Sequence, residues 1–319
     1  MNLTCCIILL LSVFFIVRSK LHSDEKTMSF GKSVSSCLKG ICAILILIGH
    51  APSPKPFHEA SGFIVGLFFA LSGYGLNKQY RLKSDFLKNF HLRIIKLCIP
   101  YFICIVLYLG LEHYLIGKLV LYEAVCSFIN GSFGAILPHS WFVIAILYFY
   151  ITFYISFKTK YKYIGLAISY FLWGILSHFV FYKDLMWGPS AAFVFGAVYC
   201  KYEMEILKSR YLNAIIIPFA FLLCVFPLKS VLMSVGPLFV ILASTLSRYT
   251  PPKKNVLLFL GSISYEIYIT QGISRLFVLK LHLISSFTYI VIWLMCTILL
   301  SYLLHILCKR IFIIARITK

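Results

Sequence analysis

Long apolar runs recur along almost the whole chain, and they constrain its fold more than any other feature. An apolar helix of about 17–25 residues crosses the hydrocarbon core of a bilayer and satisfies its own backbone hydrogen bonds there. Several runs are short or interrupted by Gly or Pro. The runs lie near residues 34–50, 61–77, 94–112, 140–157, 163–181, 188–200, 211–227, 229–247, 258–273 and 286–307. The chain is therefore predicted to be all-α, a polytopic transmembrane helix bundle with ten spans after residue 33.

The composition supports the same class. Of the 319 residues, 61% are hydrophobic and 13% are charged, whereas a soluble domain is nearer half apolar and a quarter charged. So much apolar surface would lack a polar shell in water. The 11 cysteines lie mostly inside apolar runs and form no CxxC pair. A soluble enzyme, a disulfide scaffold and a nucleic-acid module are therefore excluded.

The basic residues are distributed unequally between the two sets of loops. Of the 30 Lys and Arg residues, 24 fall on one side of the ten predicted spans. The other side has Lys55, Lys118, Lys183, Lys229, Arg275 and Lys280. Cytoplasmic loops carry the excess of basic residues, so the C-terminus is predicted to be cytoplasmic. This topology accounts for most of the net charge of +20 without a nucleic acid or another anionic partner.

The N-terminal region allows two interpretations. The run at 3–17 is followed, not preceded, by Arg18 and Lys20, which favours an extra span over a cleaved signal peptide. Alternatively, Met28 begins a protein of ten spans. We divide the chain into an N-terminal segment and basic linker at 1–33, a membrane domain at 34–307 and a basic tail at 308–319.

Lys39 and His50 are the most informative polar pair within the apolar runs. They are separated by 11 residues, about three helical turns, so both side chains project from one helix face about 16 Å apart. An ionisable residue inside a span is a functional candidate, and a histidine can serve as base, acid or acyl carrier near neutral pH. Alternatively, Lys39 is a membrane anchor and His50 an interfacial histidine.

Four other segments contain polar or small residues at the spans. Phe68–Leu76 includes Ser72, Gly73 and Tyr74, a composition that suits close approach of a helix or a ligand. Arg93 and Lys96 share a helix face and suit phosphate binding or orientation in the membrane.

His139 precedes Trp141 at the start of a span. Glu266 and Gln271 lie inside an apolar run, and Glu266 is expected to face the bundle interior and a basic group. His178 and His305 are interpreted as structural.

Together these segments resemble the acyltransferase 3 family of polytopic membrane acyltransferases, which O-acylate cell-surface glycans and related molecules. The resemblance spans about residues 34–307. It rests on Lys39 and His50 with ten residues between them, on Phe68–Tyr74, on Arg93–Tyr101, on Trp141-Phe142, and on Ser264, Tyr265 and Tyr268. Two positions differ: Lys39 stands where the family usually has Arg, and Gln271 stands where the last motif has His.

The resemblance implies acetyl-coenzyme A, or another acyl-CoA, as a cytoplasmic donor substrate, and no bound cofactor. It implies a hydroxyl of a cell-surface polysaccharide or lipid-linked sugar as acceptor, with His50 essential. His50 and Lys39 are assigned to the catalytic site, and Lys39, Arg93 and Lys96 are expected to bind the donor phosphates. The substrate pocket is expected to include Ser72, Tyr74, Trp141, Tyr265, Glu266 and Gln271, with no metal. A bacterial inner membrane and separate glycan-assembly proteins as partners are expected on the same ground.

Two other classes of function compete with acyl transfer. Intramembrane charges and Gly/Pro-interrupted spans are also typical of secondary transporters or exporters of glycans and small metabolites. A structural subunit of a glycan-synthesis complex would not need His50.

Overall fold

The chain is built from helices that follow the apolar runs. The computed structural model describes residues 30–51, 55–117, 137–180, 187–208, 239, 255–279 and 286–317. Among these residues there is no β-strand. The helices are α1 (Lys32–His50), α2 (Lys55–Leu82), α3 (Phe90–Ile116), α4 (Trp141–Phe157), α5 (Lys162–Ile175), α6 (Trp187–Lys208), α7 (Val256–Ser262), α8 (Ser264–Leu279) and α9 (Ser286–Ile314). The predicted all-α class is confirmed for this part of the chain.

Eight of the ten predicted runs lie in the described ranges, and each coincides with helical structure. The predicted runs at 3–17, 211–227 and 229–247 lie outside the described residues, except for Phe239. Within the described ranges, three helical segments are long and apolar enough to cross a membrane: Lys32–His50, Phe90–Leu115 and Phe287–Ile314. A fourth is added if α7 and α8 count as one bent span. The protein is thus a helical membrane protein, and the number of ten spans stays a prediction.

Three local features interrupt or end the helices: a glycine, a proline and a π-helical turn. Gly117 ends α3 with φ of 72°, a left-handed conformation that glycine adopts without a Cβ penalty, and its N–H donates to the His113 carbonyl. Pro100 lies inside α3, where it removes one backbone donor and weakens the helix locally. The run at 163–181 ends in a π-helical turn, Leu176–Val180.

The chain divides into two compact units. The first unit comprises Met1–Leu82 and Gly188–Ser262. Within it α1 packs on α2 and on α7. A Cβ on Gly40 would lie 2.6 Å from the Leu257 carbonyl oxygen, and one on Gly261 would meet the Ser36 carbonyl. Small residues therefore allow the backbones of α1 and α7 to approach closely, as in many membrane helix pairs.

The second unit comprises Lys83–Trp187 and Ile263–Lys319. Within it α8 packs on α9 and α3, and α4 packs on α5. Between α8 and α9, hydroxyl pairs join Thr270 to Ser301 at 2.8 Å and Ser274 to Thr297 at 2.6 Å. Each interhelical hydrogen bond of this kind contributes about 0.6–2 kcal/mol in a membrane, so these contacts define the register of the two helices.

Candidate functional site

Lys39 and His50 lie on one uninterrupted helix, as their spacing predicts. Both belong to α1, and His50 is its last residue. Eleven residues of regular helix place the two side chains about 20° apart around the axis and about 16 Å apart along it. The pair therefore shares one face.

This face of α1 is covered by protein. Ala43 and Ile46 lie between the two basic residues on the same face, and they are 2% and 1% exposed. Lys39 and His50 themselves are half-buried. Buried residues therefore form the strip of α1 that joins the two basic side chains.

Tyr74, a predicted pocket residue on α2, lies at the centre of a buried polar cluster. Its hydroxyl donates to Glu203 Oε1 on α6 at 2.8 Å and accepts from Lys78 Nζ at 2.9 Å. Lys78 Nζ also donates to the Phe30 carbonyl oxygen at 2.8 Å. The cluster therefore ties Phe30, two residues before the start of α1, to both α2 and α6.

Lys78 and Glu203 of this cluster interact electrostatically. Burial lowers the pKa of the Lys78 amino group, and the Glu203 carboxylate opposes that shift. Glu203 is only 4% exposed, and the hydrogen bond from the Tyr74 hydroxyl offsets part of the cost of burying its carboxyl group. Two further bonds join the same helices: Asn77 Nδ2 donates to the Ala197 carbonyl and Arg81 Nη1 to the Cys200 carbonyl, both at 2.6 Å.

Ser72 and Gly73 occupy different environments within the predicted Phe68–Tyr74 motif. Ser72 is half-buried. A Cβ on Gly73 would meet the Phe193 carbonyl of α6, and one on Gly196 would meet the Ala70 carbonyl of α2. Gly73 therefore serves close packing of α2 against α6, the first of the two uses expected for this motif.

Arg93 and Lys96 begin α3 in the second unit and have different neighbours. The Arg93 guanidinium lies 4.8 Å from the centre of the Phe86 ring. Lys96 Nζ lies 6.0 Å from the centre of the Phe312 ring at the end of α9. Both side chains are half-buried. Aromatic rings thus flank both cations.

Trp141 opens α4 and is half-buried. The preceding residue His139 has φ of 65°, a conformation uncommon for a non-glycine residue. Its carbonyl oxygen accepts a 2.9 Å hydrogen bond from the Tyr268 hydroxyl, and the rings of Tyr268 and Phe142 are 4.7 Å apart. Two motifs that are far apart in the sequence therefore meet here.

Tyr265 and Glu266 connect α8 to two other helices. The Tyr265 hydroxyl donates to the Leu97 carbonyl of α3 at 2.8 Å, one turn from Arg93. Glu266 is 8% exposed, and its Oε1 lies 2.8 Å from Nδ1 of His305 on α9. The expectation that Glu266 faces the interior and a basic group agrees with this contact.

Gln271 is 1% exposed, and its backbone carbonyl accepts a 3.1 Å hydrogen bond from Trp293 Nε1. The neighbouring Gly272 has the Pro138 ring 3.0 Å from the position of a Cβ. Gln271 therefore lies in the packed contact of α8 with α9 and with the segment that precedes Trp141.

The predicted residues fall into two groups. The first unit holds Lys39, His50, Ser72 and Tyr74, and the second holds Arg93, Lys96, Trp141, Tyr265, Glu266 and Gln271. Sequence reasoning missed Glu203 and treated His305 as structural. A signal for Glu203 was available, because the chain has only ten acidic residues and this one adjoins an apolar run.

Comparison with known proteins identifies the family. A family model described as an acyltransferase domain, that of the acyltransferase 3 family, matches residues 35–306. No curated protein matches the chain, and no solved structure matches it. The matched region extends from α1 into α9 and includes every predicted site residue. The chain belongs to the acyltransferase 3 family and is a membrane acyltransferase.

Proposed function

We propose that this membrane acyltransferase is an O-acyltransferase, most directly an O-acetyltransferase. It moves an acyl group from cytoplasmic acyl-CoA to a hydroxyl of a cell-surface polysaccharide or a lipid-linked sugar. The observation that carries the proposal is the placement of Lys39 and His50 on one protein-covered face of α1, within the region matched to the family.

His50 is the residue to which we assign the chemistry. As a base, it removes the proton of the acceptor hydroxyl while the oxygen attacks the thioester carbonyl. As a nucleophile, it first takes the acyl group and then passes it to the hydroxyl. In both routes the carbon–sulfur bond breaks with its electron pair on sulfur, and an ester and a thiol are formed.

The basic side chains of the predicted site are assigned to binding of the acyl-CoA donor. Arg93 and Lys96 at the start of α3 would bind the phosphates of coenzyme A, since guanidinium and ammonium groups bind phosphate strongly. Lys39 on α1 is assigned to the donor on its own, from its place in the first family motif. The basic loops predict that these ends face the cytoplasm, as the C-terminus does. The remaining predicted residues are assigned to substrate binding: Ser72 and Tyr74 in the first unit, and Trp141, Tyr265, Glu266 and Gln271 in the second. We place the protein in a bacterial inner membrane, beside glycan-assembly proteins.

Replacement of His50 tests the assignment. His50→Ala, compared at equal membrane abundance, should reduce O-acyl groups on surface glycans by ~100-fold or more, because a general acid–base residue contributes at least this much to the rate. His178→Ala is the matched control, since that histidine is exposed and lies in neither predicted group. The measurement is mass spectrometry of the glycans with each variant.

The same experiment separates acyl transfer from transport. Loss of O-acyl groups with normal glycan export supports the proposal. Loss of export with acylation intact would instead identify a transporter or exporter, and normal levels of both would exclude His50 from the reaction.

The role of Lys39 in donor binding is tested by measuring the KM for acyl-CoA. Lys39→Arg should retain activity, because it preserves the cation and restores the residue usual in the family, whereas Lys39→Ala should raise the KM for acyl-CoA by ~10-fold, the effect of about 1.4 kcal/mol of lost binding. Lys32→Ala is the control, since Lys32 is exposed on the same helix. An unchanged KM in Lys39→Ala would remove Lys39 from the donor site.

A further inference from the structure

Glu266 and His305 form a carboxylate–imidazole pair to which the function proposed above gives no step of the reaction. Glu266 Oε1 lies 2.8 Å from His305 Nδ1, with the two side chains 11% and 37% exposed. A carboxylate that accepts a hydrogen bond from Nδ1 fixes the tautomer and orientation of the ring, and it stabilises the protonated form. Since Nδ1 is engaged with Glu266, the ring offers Nε2 to a ligand.

The two helices that carry the pair are held in a single register. Glu266, Thr270 and Ser274 follow one another at intervals of four on α8. Their partners on α9 are respectively His305, Ser301 and Thr297, which run in the opposite direction at the same interval. These three successive side-chain contacts oppose sliding or rotation of α9 on α8. The position of the His305 imidazole is therefore fixed by the two hydroxyl pairs as well as by its contact with Glu266.

The pair lies in the same unit as the cations assigned to the donor phosphates. Lys96 contacts Phe312 on α9, seven residues from His305, which is about 10 Å along the helix. Tyr265, next to Glu266, donates to the Leu97 carbonyl beside Lys96. A donor held at Arg93 and Lys96 would therefore meet the His305 ring farther along α9.

We propose that His305 is the general acid that protonates the departing thiolate of the donor, with Glu266 as its positioning residue. The inference rests on the proposed function. As the carbon–sulfur bond breaks and its electron pair moves to sulfur, the Nε2–H of the His305 imidazolium passes to that sulfur. The products are a thiol and a neutral imidazole that still donates from Nδ1 to Glu266. The ring then regains a proton from water.

The test compares two donors that need the acid to different degrees. Acetyl-coenzyme A releases an alkyl thiolate, whereas phenyl thioacetate releases a less basic aryl thiolate that leaves without protonation. The full-length protein is assayed in lipid vesicles with each donor and the same acceptor. His305→Gln is the informative variant, because its side-chain amide can still donate to Glu266 while it supplies no acid.

With acetyl-coenzyme A, we expect His305→Gln to lower kcat by ~100-fold, a typical contribution of general acid catalysis, with little change in KM. With phenyl thioacetate, we expect kcat/KM to fall by less than ~10-fold for the same reason. Glu266→Gln should show the same dependence on the donor with a smaller loss. His178→Gln should match the wild type with both donors.

Equal losses with the two donors would show a structural role and overturn the proposal, as would full activity of His305→Gln. If His305→Gln does not accumulate in membranes, the donor dependence of Glu266→Gln decides instead. Failure of the wild-type protein to use either thioester would overturn the proposed function itself. That outcome is distinct from an active wild type with an unaffected variant.

Discussion

At the scale of single residues, buried carboxylates are scarce and each described one has a specific donor. Glu203 accepts from Tyr74, and Glu266 pairs with His305. A carboxylate removed from water is costly unless it is paired and hydrogen-bonded. Both groups can therefore be buried because each has a partner close by, in a chain that has only ten acidic residues.

Glu203→Gln should destabilise the protein by about 1.5–3 kcal/mol, the usual worth of a hydrogen bond to a charged group. The amide would still accept from Tyr74, but the half-buried Lys78 amino group would lose the nearby negative charge. Thermal unfolding in detergent measures the effect. Glu205→Gln is the control, because Glu205 is exposed on the same helix and should change stability by less than about 0.5 kcal/mol. Equal stability of the two variants would contradict the role assigned to Glu203.

At the scale of helices, small residues determine which pairs approach most closely. Gly40 and Gly261 lie where α1 meets α7, and Gly73 and Gly196 lie where α2 meets α6. Larger side chains at these positions would collide with a backbone carbonyl, which cannot move aside as a flexible side chain can. The position of α1, with Lys39 and His50, thus depends on Gly40, which directly follows Lys39, and on Gly261 of α7.

Gly73→Ala and Gly75→Ala provide a matched pair two residues apart on α2. A methyl group at Gly73 would meet the Phe193 carbonyl, whereas a methyl group at Gly75 would meet no described atom within 4 Å beyond its own stretch of helix. We expect Gly73→Ala to cost about 1–3 kcal/mol through overpacking. Gly75→Ala should be neutral or stabilising by up to about 1 kcal/mol, because alanine favours the helix. The measurement is the free energy of unfolding of each purified variant. An unchanged value for Gly73→Ala would contradict the prediction, because it would show that α2 and α6 can move apart at no cost.

At the scale of the whole molecule, the unequal distribution of basic residues predicts the orientation in the membrane. The loop between α4 and α5 contains Lys158 and Lys160, whereas α3 ends at Gly117 on the side with few basic residues. Cytoplasmic loops retain Lys and Arg during insertion. The chain should therefore cross the membrane between these two points.

A periplasmic reporter enzyme fused after Gly117 should be active, and the same reporter fused after Lys160 should be inactive. Fusion after Lys319 should also be inactive, since the C-terminus is predicted to be cytoplasmic. Activity of the reporter in cells at equal expression is the measurement. Identical results after Gly117 and Lys160 would contradict the predicted spans in this part of the chain.

Composition and spacing were sufficient for the helical class, for eight helical runs and for the shared face of Lys39 and His50. These properties are local, since they depend on apolar length and on 3.6 residues per turn. The break at Ile263 was not predicted, because the apolar run continues through it. The π-helical turn Leu176–Val180 was missed for the same reason.

The partners of the buried charges depended instead on which helices lie side by side. Glu203 and Tyr74 are 129 residues apart in the chain, and Glu266 and His305 are 39 apart. No periodicity relates such distant positions. Their contacts arise when glycines admit one backbone close to another and when hydroxyl pairs set the register of α8 and α9. Packing in three dimensions, a non-local property, therefore made His305 a functional candidate when its sequence context had not.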